Sequence, residues 1–199
     1  MKIILSTHNS SKAEQIKALL QGFPAEVLTL SEVGVRESGV EDGKTLAENA
    51  AKKARFAREK TGEWSMADDT GLFIDALNGA PGIHAARWAG KSATTEEIMQ
   101  FTLEKLRGVP LSKRTARFET VAVIVSPEGV EHVFSGEVRG VLLEAPRVPC
   151  QPNMPYSALF QPEGETQVWA EMSVEAENKI SHRGKAFKQV RDFLSQLGT

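Results

Sequence analysis

The spacing of apolar and polar residues predicts that helices and strands alternate along most of the chain. Short apolar runs predict buried strands at residues 3–5, 27–30, 64–67 and 72–74. Apolar residues at helical spacing predict helices at residues 13–20, 45–60, 94–106 and 181–197. The predicted N-caps are Ser10 or Ser11, Thr94 or Thr95, and Ser181.

After residue 114 the period changes to two, which predicts a long hairpin. Alternating strands at residues 115–125 and 130–141 flank a turn at 126–129, and residues 78–82 predict a loop. Strands that alternate with helices, together with a hairpin, indicate an α/β protein with a mixed sheet. Residues 1–199 are expected to form a single domain, with a ligand cleft near the carboxyl ends of the strands.

Composition narrows the class of protein. The formal net charge of −2 provides no global field that would attract nucleic acid, so no nucleic-acid partner is expected. Cys150 is the only cysteine, which excludes an intrachain disulfide. The apolar run after Met1 is too short for a signal peptide or a membrane span, so we expect no membrane partner and a cytoplasmic location.

Two adjacent acids, Asp68 and Asp69, follow an apolar strand and precede Gly71. Carboxylates at a strand end suit Mg²⁺, which usually shares its oxygen ligands with substrate phosphates. Adjacent strand residues point to opposite faces, so both acids reach one ion only if the strand has ended, as Gly71 permits. We interpret one acid as a metal ligand and the other as a water activator or second ligand. The alternative is that Asp68 caps a turn and Asp69 is merely exposed.

The turn from Thr7 to Lys12 joins the first strand to the first helix. Free N–H groups at a helix N-terminus favour an anion, and Thr7, Asn9, Ser10 and Lys12 add side-chain donors. The segment contains no glycine, so it is not a Walker A loop. The alternative is an ordinary capped helix with a polar turn.

The second helix carries a polar stripe if it extends back to Glu41. Residues Glu41, Thr45, Asn49 and Lys53 would then lie on one face. This stripe is unusual for a helix surface, because it combines an acid, a hydroxyl, an amide and a lysine beside a row of alanines. Glu41, Asn49 and Lys53 are therefore candidate site residues. The role of Glu48 is left open.

The last helix begins with Ser181, His182 and Arg183. Cations in the first turn oppose the helix dipole by about 0.3–1 kcal/mol, and a bound anion or a carbonyl-rich ligand would relieve this. The alternative is a surface arginine that tolerates the misfit.

These motifs follow one another in a single order along the chain. They are Thr7-x-Asn9-x-x-Lys12, Glu41-x-Gly43-x-Thr45, Glu48-Asn49-Ala50-x-x-Lys53, Ala67-Asp68-Asp69-Thr70-Gly71-Leu72, Gly79-Ala80-Pro81-Gly82-Ile83, Ala170-Glu171-Met172 and Ser181-His182-Arg183. In this combination the chain resembles the inosine/xanthosine triphosphate pyrophosphatase family, whose members hydrolyse noncanonical purine nucleoside triphosphates to the monophosphate and pyrophosphate. The resemblance implies an elongated two-lobed α/β fold with a central nucleotide cleft, a homodimer and a requirement for Mg²⁺.

The resemblance also implies roles for individual residues. The triphosphate would be bound by Thr7, His8, Asn9, Ser10, Ser11, Lys12, Lys53 and Thr70, and Asn49 is a further candidate for binding the substrate. Glu41 and Asp69 would hold the metal, with Asp68 as a further candidate ligand. Asp69 would also activate the attacking water, and Lys53 is counted with it as catalytic. His182 and Arg183 would contact the purine, where arginine suits a 6-oxo group because it only donates.

The expected base-recognition loop departs from the family pattern. The family has a stacking Phe and an Asp where this chain has Met154 and Ser157, on either side of Tyr156. Glu177 stands where the family has a lysine that points into the nucleotide site. A reversed charge about 4 Å from a phosphate costs on the order of 4 kcal/mol at an effective dielectric of 20. We expect these four residues to contact the substrate, hydrolysis to be retained and base preference to have shifted.

Other functions remain open at this point. A nucleotide-binding protein that had lost catalysis would be expected to lose its metal acids, yet Glu41 and Asp69 are intact. A pyrophosphatase for another modified nucleotide would keep them. The Maf-like pyrophosphatases, similar in fold, lack the Ser-His-Arg signature.

Overall fold

The computed structural model describes residues 1–197, which form seven strands and five helices. The strands are β1 (Lys2–Leu5), β2 (Glu26–Thr29), β3 (Trp64–Ile74), β4 (Pro81–Gly82), β5 (Thr115–Val125), β6 (Glu131–Leu142) and β7 (Phe160–Pro162). The helices are α1 (Ser10–Leu19), α2 (Leu46–Thr61), α3 (Thr95–Lys105), α4 (Val174–Ile180) and α5 (His182–Leu197). The expected α/β class is confirmed.

The strands form one sheet in the order β2-β1-β3-β5-β6-β7, with β4 paired to β3. β1 is parallel to both β2 and β3, whereas β4 is antiparallel to β3 and β7 is antiparallel to β6. The sheet is therefore mixed, as predicted. The predicted hairpin corresponds to the neighbouring strands β5 and β6.

The chain divides into two compact units. The first unit comprises residues 1–69, residues 120–136 and the described chain from residue 182. Its core packs α1 and α5 against the buried parts of β1, β3 and β5, with Ile16, Phe187 and Val190 at its centre. Burial of such side chains contributes roughly 1.5–3 kcal/mol each, which fixes both helices against the strands.

The second unit comprises residues 70–119 and 137–181. Its core contains Phe118, Tyr156, Phe160 and Trp169. The Phe118 and Phe160 rings meet edge to face with their centroids 4.8 Å apart, a favourable arrangement for aromatic pairs. The elongated shape, the central cleft and the single two-lobed domain stay predictions.

One predicted helix cap was wrong, and the condition attached to the polar stripe of the second helix is not met. Asn9, rather than Ser10 or Ser11, caps α1, because its side chain accepts the Lys12 backbone N–H at 3.0 Å. Helix α2 does not extend back to Glu41. Thr45 is in an extended conformation and caps the helix through the Glu48 N–H, so α2 begins at Leu46. The predicted cap of α3 is confirmed as Thr94, which forms a reciprocal capping box with Glu97.

The strand around the acidic pair was also predicted incorrectly. β3 runs without a break from Trp64 to Ile74, so the strand does not end at Gly71. Residues 78–82 are not wholly a loop, since Pro81 and Gly82 pair with β3 as β4. The sequence analysis did not find α4 and β7, which have seven and three residues and are too short to show a clear period.

Candidate active site

The parallel pairing of β1 with β3 brings the first candidate segments together. Leu5 is in register with Met66, and the Ser6 N–H donates to the Met66 carbonyl at 2.8 Å. The turn that leaves β1 and the two acids that follow Met66 therefore lie at the same edge of the sheet. This is the edge at which α/β proteins usually bind ligands.

The turn after β1 is held in place by its own side chains. The Asn9 N–H donates to Thr7 Oγ1 at 3.2 Å, and Asn9 in turn caps α1. His8 is exposed, and its ring nitrogens lie 3.1 Å from Ser31 Oγ and 3.2 Å from the Glu37 carbonyl oxygen. Ser10 is exposed and Ser11 is half-buried in the first turn of α1. The predicted phosphate-binding turn is thus an ordered helix N-terminus.

Asp68 lies in a buried cluster with Lys12, Gln15 and Arg183, which we call the Asp68 cluster. Its Oδ1 is 3.1 Å from Lys12 Nζ, and its Oδ2 is 3.4 Å from Arg183 Nε. Gln15 Oε1 accepts a hydrogen bond from Arg183 Nη1. Burial alone would raise the pKa of Asp68, but Lys12 and Arg183 outweigh it and hold that pKa well below its usual range.

Asp69 points to the opposite face of β3 and forms a second cluster with Glu41, Asn49 and Lys53, the Asp69 cluster. Asn49 Nδ2 donates to Asp69 Oδ2 at 3.0 Å. Lys53 Nζ lies 3.3 Å from Asp69 Oδ1 and 2.9 Å from Glu41 Oε1. Burial opposes the charge on Lys53, but Asp69 and Glu41 outweigh it and raise the pKa of this lysine.

Glu41 lies outside α2, and the close approach of the loop at Gly43 to this helix brings Glu41 to Lys53. The Gly43 N–H donates to Asn49 Oδ1 at 2.8 Å, and a Cβ at residue 43 would lie only 2.6 Å from that oxygen. Any side chain here would displace the loop from the first turns of α2. The predicted grouping of Glu41, Asn49 and Lys53 is present, but a loop crossing produces it rather than a helix face. Glu48 is outside this grouping, because its carboxylate accepts the Lys44 N–H at 2.6 Å.

The first turn of α5 is placed by a close approach of β6. A Cβ built at Gly136 would collide with the His182 carbonyl oxygen and would lie 2.8 Å from the Ala186 nitrogen. Glycine therefore lets the strand contact the helix backbone directly. His182 and Arg183 are both buried in this turn, as predicted for the first turn of the last helix. Burial, together with the charge of Arg183, lowers the pKa of His182 well below its ordinary value.

The candidate base-recognition residues belong to the second unit, where two of them have structural contacts. Tyr156 is buried in the core, and its hydroxyl donates to the Ala85 carbonyl at 2.8 Å. Ser157 is buried, accepts the Gln151 N–H at 2.8 Å and donates to the Met154 carbonyl at 2.8 Å. Met154 itself is half-buried. These contacts hold the loop in one conformation, and substrate contact by these residues stays a prediction.

Glu177 and Thr70 also lie in the second unit. Glu177 is buried on α4 with a relative exposure of 4%. Thr70 is half-buried on β3, directly after Asp69. Both residues have interactions within the protein. Their predicted contacts with substrate are not tested by the geometry.

The Asp69 cluster fits a magnesium ion better than the Asp68 cluster does. Glu41 and Asp69 come from different segments and converge on one cationic group, the Lys53 ammonium. Mg²⁺ typically takes one or two carboxylates and completes its shell with water and phosphate oxygens, so two converging carboxylates suffice. Within residues 1–197 no group of three or more His, Cys, Asp or Glu side chains is arranged to hold a metal. Two carboxylates would leave the rest of a Mg²⁺ coordination shell to water or phosphate oxygens.

Sequence reasoning missed three residues that build these clusters. Gln15 lies one helical turn after Lys12 on α1, and only the fold brings it to Arg183. Gly43 and Gly136 have no side chain that suggests a role, and their importance follows from close backbone approaches. The spacing of Gln15 from Lys12 was the one signal available.

The structure thus defines a class of protein. A mixed α/β sheet presents an ordered helix N-terminus, buried cations and two converging carboxylates at one edge, an arrangement typical of proteins that bind phosphorylated ligands. The chain belongs to the Ham1 family, whose family model matches residues 3–193.

Named pyrophosphatases and a solved Ham1 protein are similar to this chain over nearly its whole length. A dITP/XTP pyrophosphatase from Thermoanaerobacter pseudethanolicus is 40% identical over 194 residues, covering 98% of this chain and 96% of that protein. One from Geobacter sulfurreducens is 39% identical over 197 residues, covering 99% and 98%. A solved Ham1 protein from Coxiella burnetii superposes with a TM-score of 0.87 at 34% identity, covering 98% of this chain and 99% of that one.

No helix in the described part of the chain has both the length and the apolar character needed to cross a membrane.

Proposed function

We propose that this protein hydrolyses noncanonical purine nucleoside triphosphates, of the dITP, ITP and XTP type, to the monophosphate and pyrophosphate. The names of its relatives support this substrate class. The observation that carries the proposal is the pair of clusters on the two faces of β3, with buried cations on one face and converging carboxylates on the other.

The triphosphate is bound by the N-terminus of α1 and by two lysines. The first-turn N–H groups and the Lys12 ammonium neutralise phosphate oxygens, and Lys53 adds a second cation. Glu41 and Asp69 would hold Mg²⁺, which would supply further neutralisation of the phosphate oxygens. Phosphoryl transfer depends mainly on such positioning and charge neutralisation.

Asp69 is the residue proposed to accept a proton from the attacking water. Its carboxylate is held by Asn49 and Lys53, so its orientation is fixed before substrate arrives. Arg183 binds the 6-oxo group of the purine as a donor that cannot accept, and neutral His182 lies beside it in the same turn. An adenine 6-amino group offers no acceptor to this arginine.

A homodimer and a cytoplasmic location are further parts of this proposal. They are supported by the resemblance to the pyrophosphatase family. Light scattering after gel filtration tests the dimer directly, with a mass equal to one chain as the result that contradicts it.

The first experiment measures pyrophosphate release with Mg²⁺ across a panel of ITP, XTP, dITP, the standard nucleotides and modified pyrimidine triphosphates. We expect ITP, dITP and XTP to be the best substrates. Asp69→Asn should be inactive, while Asp42→Asn, which removes an exposed acid paired with Lys52, should be active. Turnover of a different nucleotide would place the shifted specificity at Met154, Ser157 and Glu177. No turnover by wild type, with tight nucleotide binding, would favour the non-catalytic alternative.

A further inference from the structure

A single carboxylate contacts both of the cations that the proposed function assigns to opposite ends of the nucleotide. Asp68 Oδ1 pairs with Lys12 in the first turn of α1, and its Oδ2 pairs with Arg183 in the first turn of α5. The side chain of Asp68 is about 1% exposed, so this pairing is shielded from water. Removal of one partner from a buried charge pair leaves the other charge buried and uncompensated, which costs far more than the loss of a surface pair.

The surroundings of Asp68 differ from those of a metal ligand. Both of its oxygens face cations, and it lies on the face of β3 opposite to Asp69, since adjacent strand residues alternate. A divalent cation placed against Asp68 would be repelled by Lys12 and Arg183. The Asp69 cluster, by contrast, already directs two carboxylates at one cation.

The dipoles of α1 and α5 also favour a negative charge at the position of Asp68. Lys12 and Arg183 each stand in the first turn of a helix, where a positive charge opposes the helix dipole. One carboxylate placed between them offsets both misfits. Gln15 accepts a hydrogen bond from Arg183 and so supports that cation directly.

We propose that Asp68 is a positioning residue that holds the phosphate-binding Lys12 and the base-binding Arg183 in fixed relation to each other, and that it is not a metal ligand. This rests on the proposed function. Removal of its charge would loosen both ends of the nucleotide site together, whereas Gln15 acts on the base end through its hydrogen bond to Arg183.

Two probes that need no turnover test this assignment. Inorganic pyrophosphate reports on the Lys12 end and inosine on the Arg183 end, and calorimetry measures the affinity of each. We expect Asp68→Asn to weaken both probes on the order of tenfold. Gln15→Ala should weaken the binding of inosine more than that of pyrophosphate, because Gln15 accepts a hydrogen bond from Arg183. Glu32→Gln is the matched control, because Glu32 also pairs with an α1 lysine, Lys17, but at the surface, and both probes should bind it as they bind wild type.

The magnesium requirement separates positioning from metal binding. For ITP hydrolysis, Asp68→Asn should raise KM while leaving the half-saturating Mg²⁺ concentration within about twofold of wild type. A large rise in that concentration, or loss of only one probe, would overturn the assignment. If Asp68→Asn does not fold, Asp68→Glu, which moves the charge by one methylene group, has the same expectations. Wild-type protein that binds neither probe would refute the proposed function itself, whereas wild-type binding with an unaffected Asp68 variant would refute only this inference.

Discussion

Lys53 and Glu41 form an ion pair with their Nζ and Oε1 atoms 2.9 Å apart, although Glu41 lies in the loop before the helix that carries Lys53. The lysine side chain is 11% exposed and that of Glu41 is 41% exposed. The same ammonium also faces Asp69. Lys53 therefore occupies the point on which the two proposed metal ligands converge.

The first prediction concerns Glu41. Glu41→Gln should raise the half-saturating Mg²⁺ concentration and reduce kcat/KM for ITP by about a hundredfold at low magnesium, because one of two anionic ligands is lost. A magnesium titration of pyrophosphate release measures both effects. The neighbouring Asp42→Asn is the control, since Asp42 is 70% exposed and pairs with Lys52. Equal magnesium requirements in wild type and Glu41→Gln would exclude Glu41 as a ligand.

The second prediction separates metal binding from turnover at Lys53. In the absence of nucleotide, the ammonium competes with a metal for Glu41 and Asp69. Lys53→Met keeps most of the length of the side chain and removes the charge, so it should bind Mn²⁺ alone on the order of tenfold more tightly. Its turnover of ITP should fall, because a phosphate-binding cation is lost. Weaker Mn²⁺ binding by the variant, measured by calorimetry or electron paramagnetic resonance, would contradict this account.

The sequence predicted the fold well where a regular spacing of apolar residues extended over many positions. Residues 115–125 and 130–141 were assigned to strands that the structure places at Thr115–Val125 and Glu131–Leu142. Two short elements were not predicted: β7 has three residues and α4 has seven, which is too few to establish a period. Helix α2 begins within one residue of its predicted start, and the Thr45 cap excludes the extension back to Glu41 on which the polar stripe depended.

The sequence predicted which residues form the candidate site, but not which of them contact one another. Asp68 and Asp69 were recognised as a pair, yet their separation onto two faces depends on β3 continuing past Gly71. Arg183 and Gln15 are 168 positions apart, and no local pattern joins them. Contacts of this kind follow from the packing of α1 against α5, which the sequence of either helix alone does not specify.

The third prediction concerns the divergent residues of the second unit. Phe at Met154, Asp at Ser157 and Lys at Glu177 should together raise kcat/KM for ITP relative to wild type, because they restore the family's base-recognition groups. Ser157 donates to the Met154 carbonyl, which an aspartate cannot do, and Glu177 is buried, so the triple variant should also melt at a lower temperature. An unchanged preference across the nucleotide panel, in a variant that is still folded, would count against a shift in base recognition.

The fourth prediction is that Cys150 is unreactive in the native protein. Burial raises the pKa of its thiol, and Sγ lies 3.4 Å from both Met99 Sδ and the Pro155 carbonyl oxygen. The thiolate fraction near pH 8 is therefore smaller than that of an ordinary cysteine. Labelling with a disulfide reagent should be slow for the native chain and fast in denaturant. Rapid native labelling that is blocked by nucleotide would instead place Cys150 at the ligand.

The fifth prediction concerns stability in mild acid and depends on His182. Burial and the nearby charges of Arg183, Lys12 and Lys185 lower its pKa, although Asp68 opposes them. The folded state therefore resists protonation while the unfolded state, with an ordinary pKa of about 6.5, takes up a proton as the pH falls. This histidine contributes stability that is present above pH 6.5 and decreases steadily as the pH falls towards its folded pKa.

The slope of stability against pH isolates this effect. Between about pH 6.5 and 5.5 the free energy of unfolding should fall in wild type by up to about 1 kcal/mol more than in His182→Gln, whatever the absolute stability of the variant. Denaturant titrations at several pH values measure the slope, and nuclear magnetic resonance of the imidazole follows the proton directly. Parallel slopes in the two proteins, or an imidazole that titrates near pH 6.5 in the folded state, would show that His182 is not held neutral by its surroundings. A neutral ring is what the proposed base site needs, because it leaves Arg183 as the charged donor to the purine oxygen.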